Sequence, residues 1–217
     1  MQLSVSGVGL SYDGRPVLND VSFTLEERER TLLLGPSGSG KSSLLNIICG
    51  LQSPDAGEVT LGGQTIVSGG SQLNADSVRK QHMGIIFQTL RLVSALTVRK
   101  NLLLAQRLQT GTTDAAKVDA TLNQLGIAHR AKARPFELSQ GEAQRAAIAR
   151  ALVISPKILI ADEPTSALDR DNTETVARLL VEAAENAGAS LLIATHDDRL
   201  RPYFERTIVL EEGRLAA

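Results

Sequence analysis

The order of apolar and polar positions divides the chain into a first part made of strands and a later part in which strands and helices alternate. LSVSGVGLSY and VLNDVSFTLEE alternate on either side of the turn DGRP, and GEVTLGGQTIVSGG indicates a hairpin with a Gly-Gly turn. Short apolar runs predict further strands in RTLLLG, MGIIFQ, KILIADEP, SLLIATHDD and RTIVLEEGRL. Residues 68–78 are polar, which predicts a loop.

Helices are predicted in KSSLLNIICGL, LTVRKNLLLAQRLQ, TDAAKVDATLNQLGI, the run after Ser139, and NTETVARLLVEAAENAG. In the second of these segments, Val98, Leu102 and Ala105 follow the spacing of one helix face. The basic segment RAKARPFE contains Pro135 and is expected to be a connection. This order of elements favours an α/β fold with a parallel sheet, an antiparallel β-subdomain and a mainly helical insert.

A chain of 217 residues is long enough for one domain with a real core, so we expect a single domain over residues 1–217. Residues 1–87 and 156–217 are predicted to form the core together with the antiparallel β part. Residues 88–155 are predicted to form the mainly helical subdomain.

The composition, 42% hydrophobic and 22% charged, is that of a soluble globular protein. A net charge of −1 and an aromatic content of 3% argue against a nucleic-acid partner. The first residues lack the pattern of a signal peptide, and no apolar run approaches the roughly 18 residues of a membrane span. If the protein works at a membrane, other polypeptides would provide the spans. Cys49, the single cysteine, is expected to be a small buried hydrophobic residue.

The segment LLLGPSGSGKSSLL contains the spacing G-x-x-x-x-G-K-S between a predicted strand and a predicted helix. Glycines let backbone N–H groups curl round phosphates, Lys41 supplies a positive charge to them, and Ser42 offers a hydroxyl to Mg²⁺. A Gly-Ser turn before a helix is the alternative, but the full spacing favours a nucleoside triphosphate site. The predicted phosphate-binding residues are Gly35, Pro36, Ser37, Gly38, Ser39, Gly40, Lys41, Ser42 and Ser43.

Polar residues stand at the ends of several predicted strands, where an open α/β sheet binds its ligands. Asp162 ends KILIADEP as a candidate Mg²⁺ ligand, and Glu163 follows it as a candidate general base or water-positioning group. Gln88, His196 and Tyr12 end three other strands. A lone residue of this kind is more often a satisfied polar side chain, but together they can converge on one pocket.

The stretch FELSQGEAQR predicts a second helix start with free backbone N–H groups, at Ser139. With this motif the chain resembles the nucleotide-binding domain of an ABC transporter over nearly its whole length. GPSGSGKSS is similar to the Walker A motif, Gln88 to the Q-loop, LSQGEAQR to the signature motif, ILIADE to the Walker B motif, SALD to the D-loop and His196 to the switch histidine. The resemblance implies a P-loop NTPase core and a helical signature-motif subdomain.

The resemblance also implies a role for each motif in binding and hydrolysing ATP with Mg²⁺. Lys41 and Ser42 would bind the phosphates and the metal, which Asp162 would support and Gln88 would sense together with the attacking water. Glu163 would act as the base, His196 would hold the γ-phosphate, and Tyr12 would stack on adenine.

Other motifs would act across a dimer of two copies of the chain. The resemblance implies that Ser139 and Gly141 face the ATP bound to the partner, and that Asp169 crosses the interface. Gln140 replaces the commoner glycine of the signature motif. We expect that its backbone does not need a positive φ, and that Gly141 is the residue that must approach the phosphate.

The function implied is ATP hydrolysis for transport or mechanical work, on the inner face of a membrane through a separate permease subunit. The permease would dock near residues 88–100, unless that loop packs on its own helix. Within the family the chain is most similar to the LolD/MacB/FtsE group, in its short length and in Glu142. A soluble ABC ATPase outside transport, or a nucleotide-binding regulator without hydrolysis, remain alternatives; Glu163 and His196 argue against the second.

Overall fold

The computed structural model describes residues 1–166 and 170–216. The strands are β1 (Leu3–Tyr12), β2 (Arg15–Leu25), β3 (Arg30–Leu34), β4 (Ala56–Leu61), β5 (Gln64–Ser68), β6 (Ser71–Gln72), β7 (Met83–Ile86), β8 (Ile158–Asp162), β9 (Ser190–Thr195), β10 (Arg206–Glu211) and β11 (Arg214–Leu215). The helices are α1 (Lys41–Ile48), α2 (Ala75–His82), α3 (Val98–Thr110), α4 (Ala115–Gln124), α5 (Gln140–Leu152) and α6 (Arg170–Ala187). Short 3₁₀ turns span Ala128–Arg130, Pro135–Glu137 and Asp198–Tyr203. Within these described ranges, no helix is long and apolar enough to cross a membrane.

The strands form two sheets, as the predicted α/β fold requires. One sheet has the order β11-β10-β3-β9-β8-β7, in which β10, β3, β9, β8 and β7 run parallel and β11 adds an antiparallel edge. The other is fully antiparallel, with the order β2-β1-β4-β5-β6. Since β3, β8 and β9 are adjacent and parallel, their carboxyl ends meet at one edge of the sheet.

Apolar side chains of the parallel strands alternate between two cores, because successive residues of a strand point to opposite faces. On one face, Leu33, Ile160 and Leu192 pack with α1 and the antiparallel sheet. On the other, Leu32, Leu159 and Leu191 pack with α3 to α6. Covering both faces buries β9 completely and β8 almost completely, which is why their sequences are continuous apolar runs. Cys49 is buried as predicted, and burial raises the pKa of its thiol to about 12.

The prediction of a loop over residues 68–78 was wrong, since the segment contains β6 and the first half of α2. The buried residues of α2 are Ala75 and Val78, too few to give a helical period in the sequence. Contacts with another part of the chain hold α2 in place. Nη1 of Arg79 donates hydrogen bonds to the carbonyl oxygens of Cys49 at 3.0 Å and Gly50 at 3.2 Å. Tertiary contacts, more than its own apolar pattern, therefore stabilise α2.

The last predicted strand, RTIVLEEGRL, is a hairpin of β10 and β11. Its turn contains Glu212 and Gly213, with φ angles of 48° and 76°. A positive φ at two successive residues is typical of tight hairpin turns, and the glycine marks the turn in the sequence. The predicted connection RAKARPFE contains parts of two 3₁₀ turns.

Candidate functional site

A cavity of about 330 Å³ opens where the loop after β3 meets the carboxyl ends of β8 and β9. The predicted site residues that line it are Ser37, Gly38, Gly40, Lys41, Ser42, Ser43, Gln88, Glu163 and His196. Gln88 lies two residues beyond the end of β7, and His196 directly follows β9, so both come from the loops after the strands.

Two glycines give the loop between β3 and α1 its shape. A Cβ on Gly35 would lie 2.2 Å from the carbonyl oxygen of Leu210, so no side chain fits there. Gly40 has a φ of 101°, and its Cβ would lie 2.9 Å from the carbonyl oxygen of Val17. The loop can therefore curl against β2 and β10 only with glycine at both positions.

The loop wraps round the amine of Lys41, which is 5% exposed. Nζ donates hydrogen bonds to the carbonyl oxygens of Gly35 at 2.8 Å and Pro36 at 3.0 Å, and lies 3.7 Å from Oε1 of Glu163. The hydroxyl of Ser39 is buried and has no hydrogen-bond partner among the residues that the structure describes. Buried donors around a buried amine suit an anion such as a phosphate.

In the residue after Lys41, the hydroxyl of Ser42 donates to Oδ1 of Asp162 at 3.1 Å. Burial raises the pKa of Asp162 and nearby Glu163 raises it further, while the hydrogen bond from Ser42 and the charge of Lys41 oppose the rise. A hydroxyl and a carboxylate oxygen at this distance are the ligand types that Mg²⁺ prefers. The residues present therefore fit a magnesium ion beside a phosphate.

Three contacts, two with β9 and one with the residue that follows it, hold Glu163 in place. Its N–H donates to the carbonyl oxygen of Ala194 at 2.8 Å, Thr195 Oγ1 donates to Oε2 at 3.2 Å, and His196 Nδ1 lies 3.0 Å from both carboxylate oxygens. The φ of Glu163 is 47°, in the left-handed region that costs about 1 kcal/mol or more for a residue with a side chain. The neighbouring strand supports this strained backbone, which aims the carboxylate into the cavity.

The start of α5 is a capping box, which confirms the helix start predicted at Ser139. Ser139 Oγ accepts a hydrogen bond from the N–H of Glu142 at 3.3 Å, and Glu142 Oε2 accepts one from the N–H of Ser139 at 2.8 Å. Gln140 is the first residue of the helix and has no positive φ, as predicted. Apart from its chain neighbours and the backbone of its own helix, a Cβ on Gly141 would meet no atom within 4 Å in the described chain.

Other predicted residues lie outside the cavity lining. Tyr12 ends β1, is 49% exposed, and its hydroxyl accepts a hydrogen bond from Gln52 Nε2 at 2.7 Å. Ser139 and Gly141 belong to α5 and do not line the cavity. Asp169 lies outside the described residues. Gly35, Pro36, Ser39 and Asp162 are not in the lining, but the carbonyl groups of Gly35 and Pro36 contact Lys41, and the carboxylate of Asp162 contacts Ser42.

The sequence analysis missed three residues that contribute to the site. Val17 and Ser166 line the cavity, and Thr195 binds the Glu163 carboxylate. The sequence offered a clue to Thr195, because this residue directly precedes His196 at the end of an apolar run. Val17 had none, because it reaches the site only through the packing of β2 on the phosphate loop.

A protein-family model described as "ABC transporter" matches residues 18–166. An uncharacterised ABC transporter ATP-binding protein of Mycobacterium tuberculosis is 39% identical over 203 residues, which cover 93% of this chain and 82% of the relative. HrtA of Staphylococcus haemolyticus, whose name assigns it to hemin import as an ATP-binding protein, is 38% identical over 201 residues, covering 92% and 90% of the two chains.

Solved structures with the same fold are ATP-binding cassettes. The dimeric post-hydrolysis state of the cassette MJ0796 bound to ADP and Pi superposes with a TM-score of 0.87 at 31% identity, covering 99% of this chain and 97% of the other. The protein cbiO1 of Clostridium perfringens, part of the ABC transporter complex cbiONQ, gives a TM-score of 0.88 at 31% identity, covering 99% and 86%.

Proposed function

The chain belongs to the ABC transporter family as an ATP-binding subunit, and we propose that it hydrolyses ATP in the cavity between the phosphate loop and the ends of β8 and β9. The observation that carries the proposal is the convergence of Lys41, Glu163 and His196 on one cavity. These residues are far apart in the chain, and the adjacent parallel strands β3, β8 and β9 bring them to the same edge of the sheet.

In this proposal the loop from Gly35 to Ser43 binds the phosphates of ATP, with Lys41 as the positive charge. The contacts of Lys41 with two loop carbonyl groups keep its amine at the centre of the loop, so little ordering is left to occur when a phosphate binds. Tyr12, at the exposed end of β1, is proposed to stack on the adenine ring.

Ser42 and Asp162 would hold a magnesium ion, for which their oxygen atoms are suited, and Gln88 faces the same cavity as a third polar group. A bound Mg²⁺ supplies positive charge that neutralises the phosphates and polarises the bond to be broken. Glu163 is placed as the general base or water-positioning carboxylate. His196 and Thr195 fix its orientation, and His196 is proposed also to contact the γ-phosphate.

We further propose that the active form is a dimer in which Ser139 and Gly141 close the ATP site of a second copy. The structure of MJ0796 with ADP and Pi is described as dimeric, which supports this proposal. So does Gly141, because outside its own helix backbone no atom of the described residues excludes a side chain there. A position where the fold itself does not require glycine is suited to the close approach of another molecule. Asp169 is proposed to cross the same interface.

A separate membrane permease is the proposed partner, with the loop over residues 88–100 as its docking surface. Asn101 fixes the shape of this loop: its side chain accepts a hydrogen bond from the N–H of Val93 at 2.8 Å and donates to the carbonyl oxygen of Thr97 at 3.0 Å. Val93 is 43% exposed although it is apolar. A rigid loop with an exposed apolar residue suits a protein contact. The chain would then lie on the cytoplasmic face of the membrane.

Steady-state ATPase activity of the wild type and of Glu163→Gln tests the hydrolysis proposal. Loss of the carboxylate is expected to lower turnover at least about 100-fold, because general-base catalysis contributes that much. Binding of ATP, measured by equilibrium titration, should remain. Equal turnover in the two proteins would rule out Glu163 as the base. Co-purification of a membrane permease with the full chain tests the docking proposal separately.

A further inference from the structure

We propose that Arg130 is a positioning residue for ATP hydrolysis, because it neutralises Glu142 at the start of α5 and so lets this helix start receive a phosphate. The inference rests on the proposed function, in which that phosphate belongs to ATP held by a second copy of the chain. The 3₁₀ turn Ala128–Arg130 thereby takes part in a site to which no motif of the sequence connects it.

The carboxylate of Glu142 is fixed at the start of α5. One oxygen, Oε2, accepts the hydrogen bond from Ser139 N–H that closes the capping box. The carboxylate therefore lies against the first turn of α5, beside Ser139 and Gly141. This contact lowers the pKa of Glu142, with smaller contributions from Arg130 and His129, so the group is negatively charged at neutral pH.

A fixed negative charge at this place conflicts with binding an anion there. A carboxylate at a helix start interacts favourably with the same partial positive charge that would attract a phosphate, and it repels the phosphate directly. A capping glutamine would make the same hydrogen bond without the charge. The site can keep Glu142 only if another group compensates for it.

Arg130 is placed to compensate. Its Nε lies 3.1 Å from Oε1 of Glu142, the oxygen that does not cap the helix. Its Nη2 donates to the carbonyl oxygen of Glu137, two residues before Ser139. The Arg130 side chain is 33% exposed and that of Glu142 is 25% exposed, so solvent screens the pair only in part. Arg130 thus contacts both the carboxylate and the segment that leads into the helix.

His129 is the second cationic candidate at Glu142, and it is weaker. Its Nε2 lies 3.4 Å from Oε1 of Glu142, but the ring is 64% exposed. The Nε of Arg130, in contrast, is buried without a hydrogen-bond partner in the described part of the chain, and the carboxylate of Glu142 is its ion-pair partner. Arginine also keeps its charge at every physiological pH, whereas histidine does not. The compensation is therefore assigned to Arg130.

The test measures the ATP-dependent dimerisation constant by sedimentation, in a Glu163→Gln parent that binds ATP without hydrolysing it. Arg130→Gln is expected to weaken dimerisation about five- to tenfold at low salt, and less at high salt because screening reduces the repulsion. Adding Glu142→Gln to Arg130→Gln should restore the constant to within about twofold of the parent, since the uncompensated charge is gone. Arg130→Lys, which keeps the charge, should stay within about threefold.

Arg206→Gln is the matched control, because Arg206 Nη1 lies 3.3 Å from Oε1 of Glu29 at the start of β10, four strands away from β7, which α5 contacts. It should leave dimerisation unchanged. Equal dimerisation of Arg130→Gln and the parent, or no rescue by Glu142→Gln, would overturn the inference and leave the proposed function standing. A parent that does not dimerise with ATP would overturn both.

Discussion

Two helix starts in this molecule are suited to an anion, and they are built in opposite ways. The start of α1 follows Gly40 and has no side-chain cap among the described residues, and Lys41, Ser42 and Ser43 of its first turn line the cavity. The start of α5 is capped by Ser139 and by the carboxylate of Glu142. The first start is complete within one chain, whereas the second carries its own negative charge and needs a positive group to balance it.

The glycines of the two starts differ in the same way. Gly40 is required by its own chain, through its φ of 101° and through the backbone of Val17. Gly141 has open space where a Cβ would lie. A glycine that its own fold explains marks an internal turn, whereas a glycine that the fold leaves unexplained indicates an external contact.

The largest expected effect is that of Gly40→Ala. The new Cβ would lie 2.8 Å from Leu18 Cδ2 and 2.9 Å from the carbonyl oxygen of Val17, at a φ that favours glycine. We expect the free energy of unfolding to fall by about 2–3 kcal/mol and ATP affinity to fall more than about 100-fold. Denaturant unfolding and nucleotide titration measure the two quantities. Unchanged ATP affinity would contradict the view that this glycine shapes the phosphate loop.

Gly141→Ala should distinguish the roles of the two helix starts, because it changes only the start of α5. Alanine fits within the chain and is a better helix former, so stability should stay equal or rise by up to about 1 kcal/mol. Binding of ATP to the monomer should not change, whereas turnover should fall about tenfold or more because the Cβ enters the dimer contact. Steady-state ATPase activity over a range of protein concentrations measures this. If Gly141→Ala had the turnover of the wild type, the inference that this glycine lies in a contact with another molecule would be wrong.

The carboxylates at the two starts should respond oppositely to neutralisation. The pKa of Asp162 is raised, mainly by burial, and the pKa of Glu142 is lowered, mainly by the Ser139 N–H. A raised pKa means that stability is lost as the pH rises through it, so Asp162→Asn should stabilise the nucleotide-free protein at neutral pH. A lowered pKa means that stability is lost as the pH falls through it, so Glu142→Gln should destabilise at neutral pH.

Thermal unfolding from pH 3.5 to 7 checks this pair. The Asp162→Asn difference should shrink as the pH falls from the raised pKa of Asp162 towards the ordinary carboxyl value near 4, whereas the Glu142→Gln difference should shrink only as the pH falls below that ordinary value. Differences of the same sign for the two variants at neutral pH would contradict the contrast between the two starts.

The sequence predicted the first helix start in more detail than the second, for a physical reason. Lys41 and Ser42 follow from the spacing of the phosphate loop, because one turn between a strand and a helix fixes all of its groups. The charge balance of α5 depends on Arg130, which reaches Glu142 from another element across the fold. No local spacing relates such residues, and the same holds for Val17 beneath the loop.

The same reason explains how well the fold was predicted. The parallel strands were predicted because burial on both faces makes each an apolar run. The helix α2 was not, since its position depends on Arg79 and the end of α1 more than on its own apolar residues. The pattern of apolar residues reflects which side chains an element buries. It therefore predicts an element poorly where polar contacts, and not buried apolar side chains, fix its position.

The smallest expected effect is that of Gln140→Gly, which restores the commoner residue of the signature motif. Gln140 is helical, so its side chain imposes no strain that glycine would relieve. Glycine at the first helical position should cost up to about 1 kcal/mol in unfolding free energy, through the added freedom of the unfolded chain. Turnover, measured by steady-state ATPase activity, should stay within about twofold of the wild type. Loss of activity would mean that the Gln140 side chain takes part in the dimer contact, and the second helix start would then depend on more than Ser139 and Gly141.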